Sequence, residues 1–356
     1  MTTEKQKKLP HTKSKALPLI LKIIFAGLLA FAALNLVFVL YSSIPSKAES
    51  PDHITDNIWK PNVFYSQLTE GFGLGKIDKN GYWNSPKLTE NNNPDVLIIG
   101  SSQAEGLPLM QDKNMTYLLN TALSDLNLSA YSVGMSGNFL MTSLKNLENS
   151  LAIKQPKYAA IETFSVTVSD SDVEAVINAE FGDVAYFSAD GLVDTISHFP
   201  YFRALYKQIK NLNEGKDVGF LVGNYKDVPA DSFVDGDAHA SLQQLNALMA
   251  KVSDVASENG TTPIIFYHPG LQLNADGSVT PQTDETDLKK FSAACEANDV
   301  IFLDLTPRFL QEYEINHIMP RGFFNTQIGS GHLNGDGHRM VAEELSLVIR
   351  TLEGGR

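Results

Sequence analysis

The sequence predicts a three-layer α/β fold, in which a mainly parallel five-stranded sheet lies between helices and one transmembrane helix precedes it. From residue 94 onwards, short aliphatic runs alternate with helical patterns. This alternation is typical of a parallel sheet that is covered on both faces. With 43% hydrophobic and 19% charged residues, the chain of 356 residues can bury a core of ordinary size.

The N-terminal helix is predicted from residues 23–41, a run of 19 residues without a formal charge. As a helix this run spans about 30 Å, the hydrocarbon thickness of a bilayer. The lysine-rich segment 1–22 should stay in the cytoplasm, which leaves the C-terminal domain extracellular or periplasmic. We therefore expect a single-pass protein of the cell membrane. A cleaved signal peptide, with a small-residue site at 46–48, is the alternative.

Net charge and cysteine content limit the classes of partner and cofactor that the chain can bind. Residues 48–356 carry 21 Lys and Arg against 40 Asp and Glu, a net charge of −19. Such a surface argues against nucleic acid and is compatible with a neutral glycan. Cys295 is the only cysteine, so neither an internal disulfide nor a cysteine metal cluster is possible. No metal or other cofactor is expected.

The chain divides into segments of different composition. Residues 42–92, rich in Ser, Pro, Asn and Gly, are expected to form a stalk and lead-in. The aromatic side chains there, including Trp59 and Trp83, are expected to pack on the domain, with sugar binding as the alternative. The domain is expected over 93–356. Residues 166–236 interrupt its alternation and are interpreted as a mostly helical insertion over the sheet.

The predicted elements of the domain follow from their hydrophobic periodicity. The five strands are DVLIIG, LSAYSVG, PKYAAIETF, TPIIFYHPG and VIFLDL. The helices are MTYLLNTALSDL, NFLMTSLKNLENSLAI, LQQLNALMAKVSDVASENG, ETDLKKFSAACEAND and GDGHRMVAEELSLVIRTLE. Asn138 is expected to cap the second of these helices, and Gly260 to close the third.

Ligands of open α/β sheets bind at the carboxyl ends of the strands. The polar residues at those ends are therefore the candidate site: Ser102, Gly137, Asn138, Ser165, His268 and Asp304, joined by His332 before the last helix. A serine becomes a nucleophile when a histidine takes its proton. We accordingly interpret Ser102 as the nucleophile and His332 as the base. The N–H groups of Gly137 and Ser102 would hold the oxyanion, with the amide of Asn138 as a further donor.

Three blocks in order, VLIIGSSQ, YSVGMSGN and GHLNGDGHRMVAEEL, resemble the motifs of the SGNH (GDSL-type) hydrolases. The resemblance covers residues 94–165 and 260–352 and implies the flavodoxin-like SGNH fold. It also implies that Ser102 is the nucleophile, that Gly137 supplies an oxyanion N–H, and that His332 is the base. Asn334 and Gly337 complete the last block.

Two positions depart from that family. It usually has an aspartate three residues before the histidine, where this chain has Gly329. It usually has an asparagine after the third strand, where Ser165 or Thr163 would have to donate instead. His332 is therefore expected to be oriented by a main-chain carbonyl or by an acid from elsewhere, and Asp304 is favoured by its position at a strand end.

Rival assignments remain for several of these residues. Ser101 is the alternative nucleophile. His338 is the alternative base, although it is expected to cap or pack in the last helix. His268 is expected to be structural or to contact substrate. A metal site built from His268, Asp304 and His332 matches no metal-binding motif.

The resemblance implies an exported, membrane-anchored serine esterase or O-acyltransferase. Its substrate would be acyl groups, acetyl above all, on a cell-envelope polysaccharide or related polymer. The expected partners are this acylated glycan, the lipid bilayer through residues 23–41 and a membrane-bound acyltransferase. The alternative is a catalytically degenerate protein that binds glycan or assists a membrane-bound O-acyltransferase or D-alanylation system.

Overall fold

The computed structural model describes residues 16–45, 47–86, 88, 93–178, 201 and 239–355. A long helix, α1 (Ala16–Tyr41), leads directly into a set of short strands. These strands are β1 (Ser42–Ser43), β2 (Lys47–Glu49), β3 (Asn57–Trp59), β4 (Phe64–Gln67) and β5 (Gly73–Lys76). Strands β1, β4 and β5 form one antiparallel sheet, and β2 pairs with β3.

The centre of the domain is a five-stranded parallel sheet. The strands of the remaining chain are β6 (Val96–Ile99), β7 (Ala130–Ser132), β8 (Tyr158–Thr163), β9 (Thr262–Tyr267), β10 (Gly270–Leu273), β11 (Val279–Gln282) and β12 (Ile301–Asp304). The central sheet has the order β7-β6-β8-β9-β12, and β10 and β11 form a separate hairpin. This is the flavodoxin-like order 2-1-3-4-5. The predicted fold class is confirmed.

Helices cover both faces of this sheet. They are α2 (Ser102–Glu105), α3 (Met115–Ala122), α4 (Leu140–Lys145), α5 (Leu147–Lys154), α6 (Asp170–Ile177), α7 (Leu242–Glu258), α8 (Glu285–Ala297), α9 (Thr306–Asn316) and α10 (Gly335–Gly354). Alternate residues of each strand enter opposite cores, as the two-residue period of a strand requires. In β6, Leu97 and Ile99 pack towards α4, α5, α7 and α8, while Val96 and Ile98 pack towards α3, α9 and α10.

Two local expectations are corrected. Asn138 does not cap a helix, because α4 begins two residues later with Phe139 at its N-cap and without a side-chain hydrogen bond. The single helix expected over 138–153 is two helices, which meet at Asn146. Of the expected insertion 166–236, residues 166–178, which include α6, and Tyr201 are described, and the rest of that expectation lies outside the described residues.

The lead-in after α1 packs on the domain along most of its length. Trp59 and Trp83 are 7% and 1% exposed and belong to the core on one face of the central sheet. The side-chain amide of Asn84 accepts the N–H of Ser132 at 3.1 Å and donates to its carbonyl at 2.8 Å. Asn84 thereby pairs with the edge strand β7, which would otherwise present open hydrogen-bonding groups. The lead-in is thus part of the folded domain.

Helix α1 is the one described helix that is long and apolar enough to cross a membrane. Its apolar stretch of 24 residues lies near the N-terminus. Its side chains face outwards, with Ile23 and Phe25 each 63% exposed. Water disfavours so large an apolar surface.

Replacing Trp83 by alanine tests whether the lead-in belongs to the cooperative core. We expect the free energy of unfolding to fall by about 3–5 kcal/mol, because a large buried side chain leaves a cavity. Urea unfolding of the detergent-solubilised protein, followed by circular dichroism, measures the change. Leu347→Ala is the control, since Leu347 is 57% exposed on α10. Equal stability of the two variants would show that the lead-in is a loosely attached stalk.

Candidate active site

Ser102 lies at the start of α2, in the turn directly after β6 (residues 100–102, the nucleophile turn). Gly100 permits this turn, since a Cβ atom there would lie 2.5 Å from Cβ of Glu162 on the neighbouring strand. The Ser101 hydroxyl caps α2 by accepting the N–H of Gln103 at 3.2 Å, and Ser101 is 1% exposed. The fold therefore uses Ser101 as a helix cap, which leaves Ser102 as the candidate nucleophile.

The side chains of Ser102, His332 and Glu70 form a continuous hydrogen-bonded chain. The Ser102 hydroxyl lies 2.9 Å from Nε2 of His332. On the other side of the ring, Nδ1 lies 2.6 Å from Oε2 of Glu70. The second carboxylate oxygen of Glu70 accepts the main-chain N–H of His332 at 2.8 Å. A carboxylate at Nδ1 keeps the ring proton there, so Nε2 is free to accept the serine proton.

Glu70 was missed by the sequence analysis because it lies in the lead-in, between β4 and β5. It is 2% exposed. The signal that could have found it is the glycine pattern GFGLG directly after it. Cβ atoms at Gly71 and Gly73 would lie 2.4 Å and 2.0 Å from the carbonyl oxygens of Pro108 and Leu107. These glycines therefore bring the lead-in against the segment that follows the nucleophile turn.

Gly329 could not easily be the missing acid. Its φ is +87°, and a Cβ atom there would lie 2.7 Å from the methyl group of Met319. A side chain in this conformation is strained. The histidine loop, residues 329–332, instead makes room for an acid from elsewhere, because a Cβ atom at Gly331 would lie 2.5 Å from Oε1 of Glu70.

The expectation that Asp304 orients His332 is wrong. The Asp304 carboxylate accepts the N–H of Thr306 at 2.8 Å, at the start of α9, while Glu70 holds Nδ1 of His332. His268, Asp304 and His332 do not form a metal site either. Within the described ranges, no group of three His, Cys, Asp or Glu side chains could hold a metal ion.

Ser165 and Thr163 do not replace the missing asparagine. The Ser165 hydroxyl donates to the carbonyl of Thr167 at 3.3 Å, and the Thr163 hydroxyl donates to the carbonyl of Ser165. Both hydroxyl groups therefore shape the turn after β8. Their protons are committed to main-chain oxygens and do not point to an oxyanion.

The N–H groups of Ser102 and Gly137 are open to a ligand. Neither donates to a protein acceptor in the part of the chain that the structure describes. Gly137 has φ +100°, and no atom lies within 4 Å of the place where its Cβ would be. The side-chain amide of Asn138 also bonds to no described residue, although Asn138 is only 4% exposed. These groups have the chemistry of oxyanion donors.

Glu105, at the end of α2, holds the turn that carries Gly137. Its carboxylate accepts the main-chain N–H of Ser136 at 3.0 Å and also the Ser136 hydroxyl. The indole N–H of Trp59 donates to its other oxygen, and Lys47 donates to the Ser136 carbonyl at 2.8 Å. Burial raises the pKa of the Glu105 carboxyl, against the lowering effect of these hydrogen bonds and of Lys47. Glu105, together with Lys47 and Trp59 of the lead-in, thus fixes the turn that carries Gly137 to the turn that carries Ser102.

His268 is fully buried between Glu162 and Arg321 and does not touch Ser102. Its Nε2 lies 2.9 Å from Glu162, and its Nδ1 accepts from Arg321 at 2.8 Å. Burial lowers the pKa of His268, against the raising effect of Glu162, and the Arg321 charge adds to the lowering. Because Nδ1 accepts from Arg321, the ring proton that donates to Glu162 lies on Nε2. Glu162 also accepts the N–H of Ser101 at 2.7 Å, while Arg321 donates to the carbonyl before His332 at 2.8 Å. His268 therefore connects the nucleophile turn to the histidine loop.

Leu333 and Asn334, which follow His332, are each held by hydrogen bonds to a different part of the fold. The N–H of Leu333 donates to the side chain of Gln103 at 2.7 Å, which ties it to the nucleophile turn. Asn334 caps α10 by accepting the N–H groups of Asp336 and Gly337, each at 3.0 Å. His332 is thus held at the start of a rigid helix, as a general base requires.

His338 is a packing residue and not the base. It is 1% exposed, and its Nδ1 accepts the N–H of Met115 at 2.9 Å. Burial, with a smaller contribution from the charges of His268 and His332, lowers its pKa to about 3. The ring is therefore neutral throughout the physiological range.

His338→Asn tests this burial, because an asparagine can accept the Met115 N–H and does not titrate. The unfolded chain protonates histidine below pH about 6.5, but folded His338 does so only near pH 3. The stability that the neutral ring contributes is therefore present above pH 6.5 and is lost as the pH falls. We expect the free energy of unfolding of the wild type to fall relative to the variant by up to roughly 3 kcal/mol between pH 7 and pH 4. Urea unfolding at both pH values measures it, and a constant difference would contradict a neutral buried ring.

Comparison with known proteins gives likeness to solved structures alone. No protein-family model and no curated protein sequence matches the chain. The psychrotrophic esterase EstA from Pseudoalteromonas sp. is 10% identical, with 74% of this chain and 100% of that one covered and a TM-score of 0.39. The acetyl xylan esterase AlAXEase is 12% identical, with 71% and 99% covered and a TM-score of 0.40.

A protein from Slackia heliotrinireducens that is assigned to the SGNH hydrolases is 12% identical, with 72% of this chain and 100% of that one covered and a TM-score of 0.37. At these identities and TM-scores the likeness concerns the fold and carries no conclusion about activity. Several of the solved structures that resemble this chain are described as SGNH or GDSL hydrolases or as esterases.

Proposed function

We propose that this chain is an exported, membrane-anchored serine esterase that removes small acyl groups, acetyl above all, from a polysaccharide or related polymer of the cell envelope. The observation that carries the proposal is the bonded chain of Ser102, His332 and Glu70. Beside it lie the N–H groups of Ser102 and Gly137, unpaired within the described residues. Nucleophile, base, orienting acid and oxyanion donors are the parts that acyl transfer requires.

In the acylation step, Nε2 of His332 takes the hydroxyl proton as Oγ of Ser102 attacks the carbonyl carbon of the ester. The negative charge that develops on the carbonyl oxygen is stabilised by the N–H groups of Ser102 and Gly137. Glu70 stabilises the imidazolium without taking its proton. When the tetrahedral species collapses, His332 gives the proton to the departing sugar oxygen, and the acyl group remains on Oγ.

In the deacylation step, His332 takes a proton from water, and the resulting hydroxide attacks the acyl carbon. The Ser102–acyl bond breaks, the proton returns to Oγ, and the carboxylic acid is released. A sugar hydroxyl in place of water would give O-acyl transfer through the same intermediate. Chromatography of the products formed with an added acetylated and an unacetylated oligosaccharide separates the two outcomes.

The complete triad counts against a degenerate, purely binding protein. That alternative depended on the lack of an acid near His332. Glu70 makes two hydrogen bonds to His332, through the ring and the main chain. A carboxylate that is 2% exposed and directed at a histidine is costly to maintain unless it is well bonded, and such pairs concentrate at functional sites.

The cellular location is proposed from α1 and from charge. The outward-facing apolar side chains of α1 suit a bilayer better than water, and the lysine-rich segment before it suits a cytoplasmic N-terminus. The acidic remainder, with a net charge of −19 over residues 48–356, suits a neutral glycan substrate. A membrane-bound acyltransferase remains a proposed partner.

Substitution of the triad tests the proposal through hydrolysis of p-nitrophenyl acetate by the full chain in detergent. We expect Ser102→Ala to lower kcat by about 10⁶-fold, down to background. We expect Glu70→Gln to lower it by about 10⁴-fold, because the amide no longer keeps the Nδ1 proton in place. Asp304→Asn is the matched control and should retain full activity, since the Asp304 carboxylate accepts the N–H of Thr306 at the start of α9, which an asparagine oxygen can also accept.

Activity of Ser102→Ala equal to the wild type would refute the esterase mechanism. Full activity of Glu70→Gln, with loss in Asp304→Asn, would instead return the orienting role to Asp304. If the wild type itself neither hydrolyses the ester nor reacts at Ser102 with a fluorophosphonate, the chain is not a serine esterase.

A further inference from the structure

The last turn of α1 is joined to the domain by direct main-chain contacts. The N–H of Leu68 donates to the carbonyl of Tyr41 at 2.9 Å, and the Ser66 hydroxyl donates to the carbonyl of Val39. Ser42 and Ser43 then pair with β4. The helix and the catalytic domain therefore have a fixed relation at this point, since no free linker separates them.

The exposed face of α1 stays apolar to its end. Leu36 is 67% exposed and Leu40 is 52% exposed, while Phe31 and Phe38, on another face, contact the ring of Tyr201. A bilayer that covers Leu36 and Leu40 must reach the last turn of the helix. The membrane boundary thus lies close to Tyr41.

The loop before His332 is hydrogen-bonded to the chain segment that contacts the end of α1. The Asn325 side chain donates to the carbonyl of Leu68 at 2.7 Å and accepts the N–H of Gly71 at 2.8 Å. Leu68 in turn donates to Tyr41 at 2.9 Å. The loop is therefore two hydrogen bonds away from the end of α1.

This loop has an apolar, uncharged surface. We name residues 322–331, GFFNTQIGSG, the rim loop; none of them is charged, in a chain whose residues 48–356 carry a net −19. Phe324 is 81% exposed and Ile328 is 65% exposed. Large apolar side chains on an uncharged loop are what interfacial segments place in the headgroup region.

We propose that the rim loop rests on the bilayer that α1 spans, with Phe324 and Ile328 inserted in its interfacial region. The inference rests on the proposed membrane anchoring. The contact holds the mouth of the site at the membrane surface, because His332 directly follows the rim loop and Glu70 lies two residues after Leu68. A bilayer is favoured as the occupant because the end of α1, where Leu40 is exposed, is joined to the rim loop through the hydrogen bonds of Leu68 and Asn325.

Site-directed fluorescence quenching tests the contact in the full chain. Phe324→Cys and Ile328→Cys would each be labelled with the fluorophore NBD and placed in phosphatidylcholine nanodiscs with or without headgroup-proximal doxyl lipid. Native Cys295 should stay unlabelled, since it is buried and burial raises its thiol pKa to about 12. We expect doxyl lipid to lower NBD emission about twofold or more, since interfacial side chains lie only about 5–10 Å deep.

Two control positions make the result decisive. Leu28→Cys, at a residue that is 62% exposed on α1, should be quenched if α1 spans the bilayer. Leu347→Cys, at a residue that is 57% exposed, should not be, since it lies about 18 Å along α10 from the first residue of that helix. Quenching at 28 with none at 324 and 328 would overturn the rim contact and leave the anchor intact. No quenching at 28 would overturn the proposed anchoring. NBD at 324 shielded from both doxyl lipid and aqueous iodide would overturn the inference in favour of a protein partner or a second copy.

Discussion

The candidate site depends on the two hydrogen bonds between the Glu70 carboxylate and His332. One carboxylate oxygen fixes the ring through Nδ1, and the other fixes the main chain of the same residue. A histidine held in this way has one ring orientation and one tautomer, so its Nε2 faces Ser102 with a lone pair available. Without Glu70, the histidine loop would keep its tie to Gln103 but the ring would have no defined proton position.

The Glu70–His332 hydrogen bonds require the lead-in, which carries Glu70, to be as well ordered as the central sheet. Trp59 and Trp83 bury the lead-in in one of the two cores. Asp78 accepts the hydroxyl of Tyr131 at 2.7 Å and the amide of Asn84 at 3.1 Å, which fastens it to the edge strand. Buried polar groups that are fully bonded in this way specify one arrangement. The segment between helix and sheet is therefore both a connector and the support of the acid.

The sheet could be predicted from the sequence, and so could the proximity of two residues of the candidate triad, for a common reason. Buried parallel strands leave an aliphatic signature, and the strand-end rule then brings Ser102 and His332 to one edge. Glu70 carries no such signature, since it follows a four-residue strand outside the alternating pattern. The expectation that Asp304 orients His332 was wrong because the strand-end rule considers only residues at the ends of the strands of the central sheet, and Glu70 lies outside that sheet. Asn138 looked like a helix cap, but the helix starts later and leaves its amide unbonded among the described residues.

The order of the three residues along the chain also governs when the chemistry can begin. Glu70 and His332 are separated by 262 residues, and Ser102 and His332 by 230. At about 5–20 residues per second, the ribosome needs some tens of seconds to add the histidine after the acid and the serine have been made. Contacts between residues so far apart in sequence form slowly, because the loop-closure entropy of the intervening chain must be overcome first. In the proposed mechanism, the nascent chain therefore carries a serine that no base activates until the residues up to His332 have been synthesised and folded.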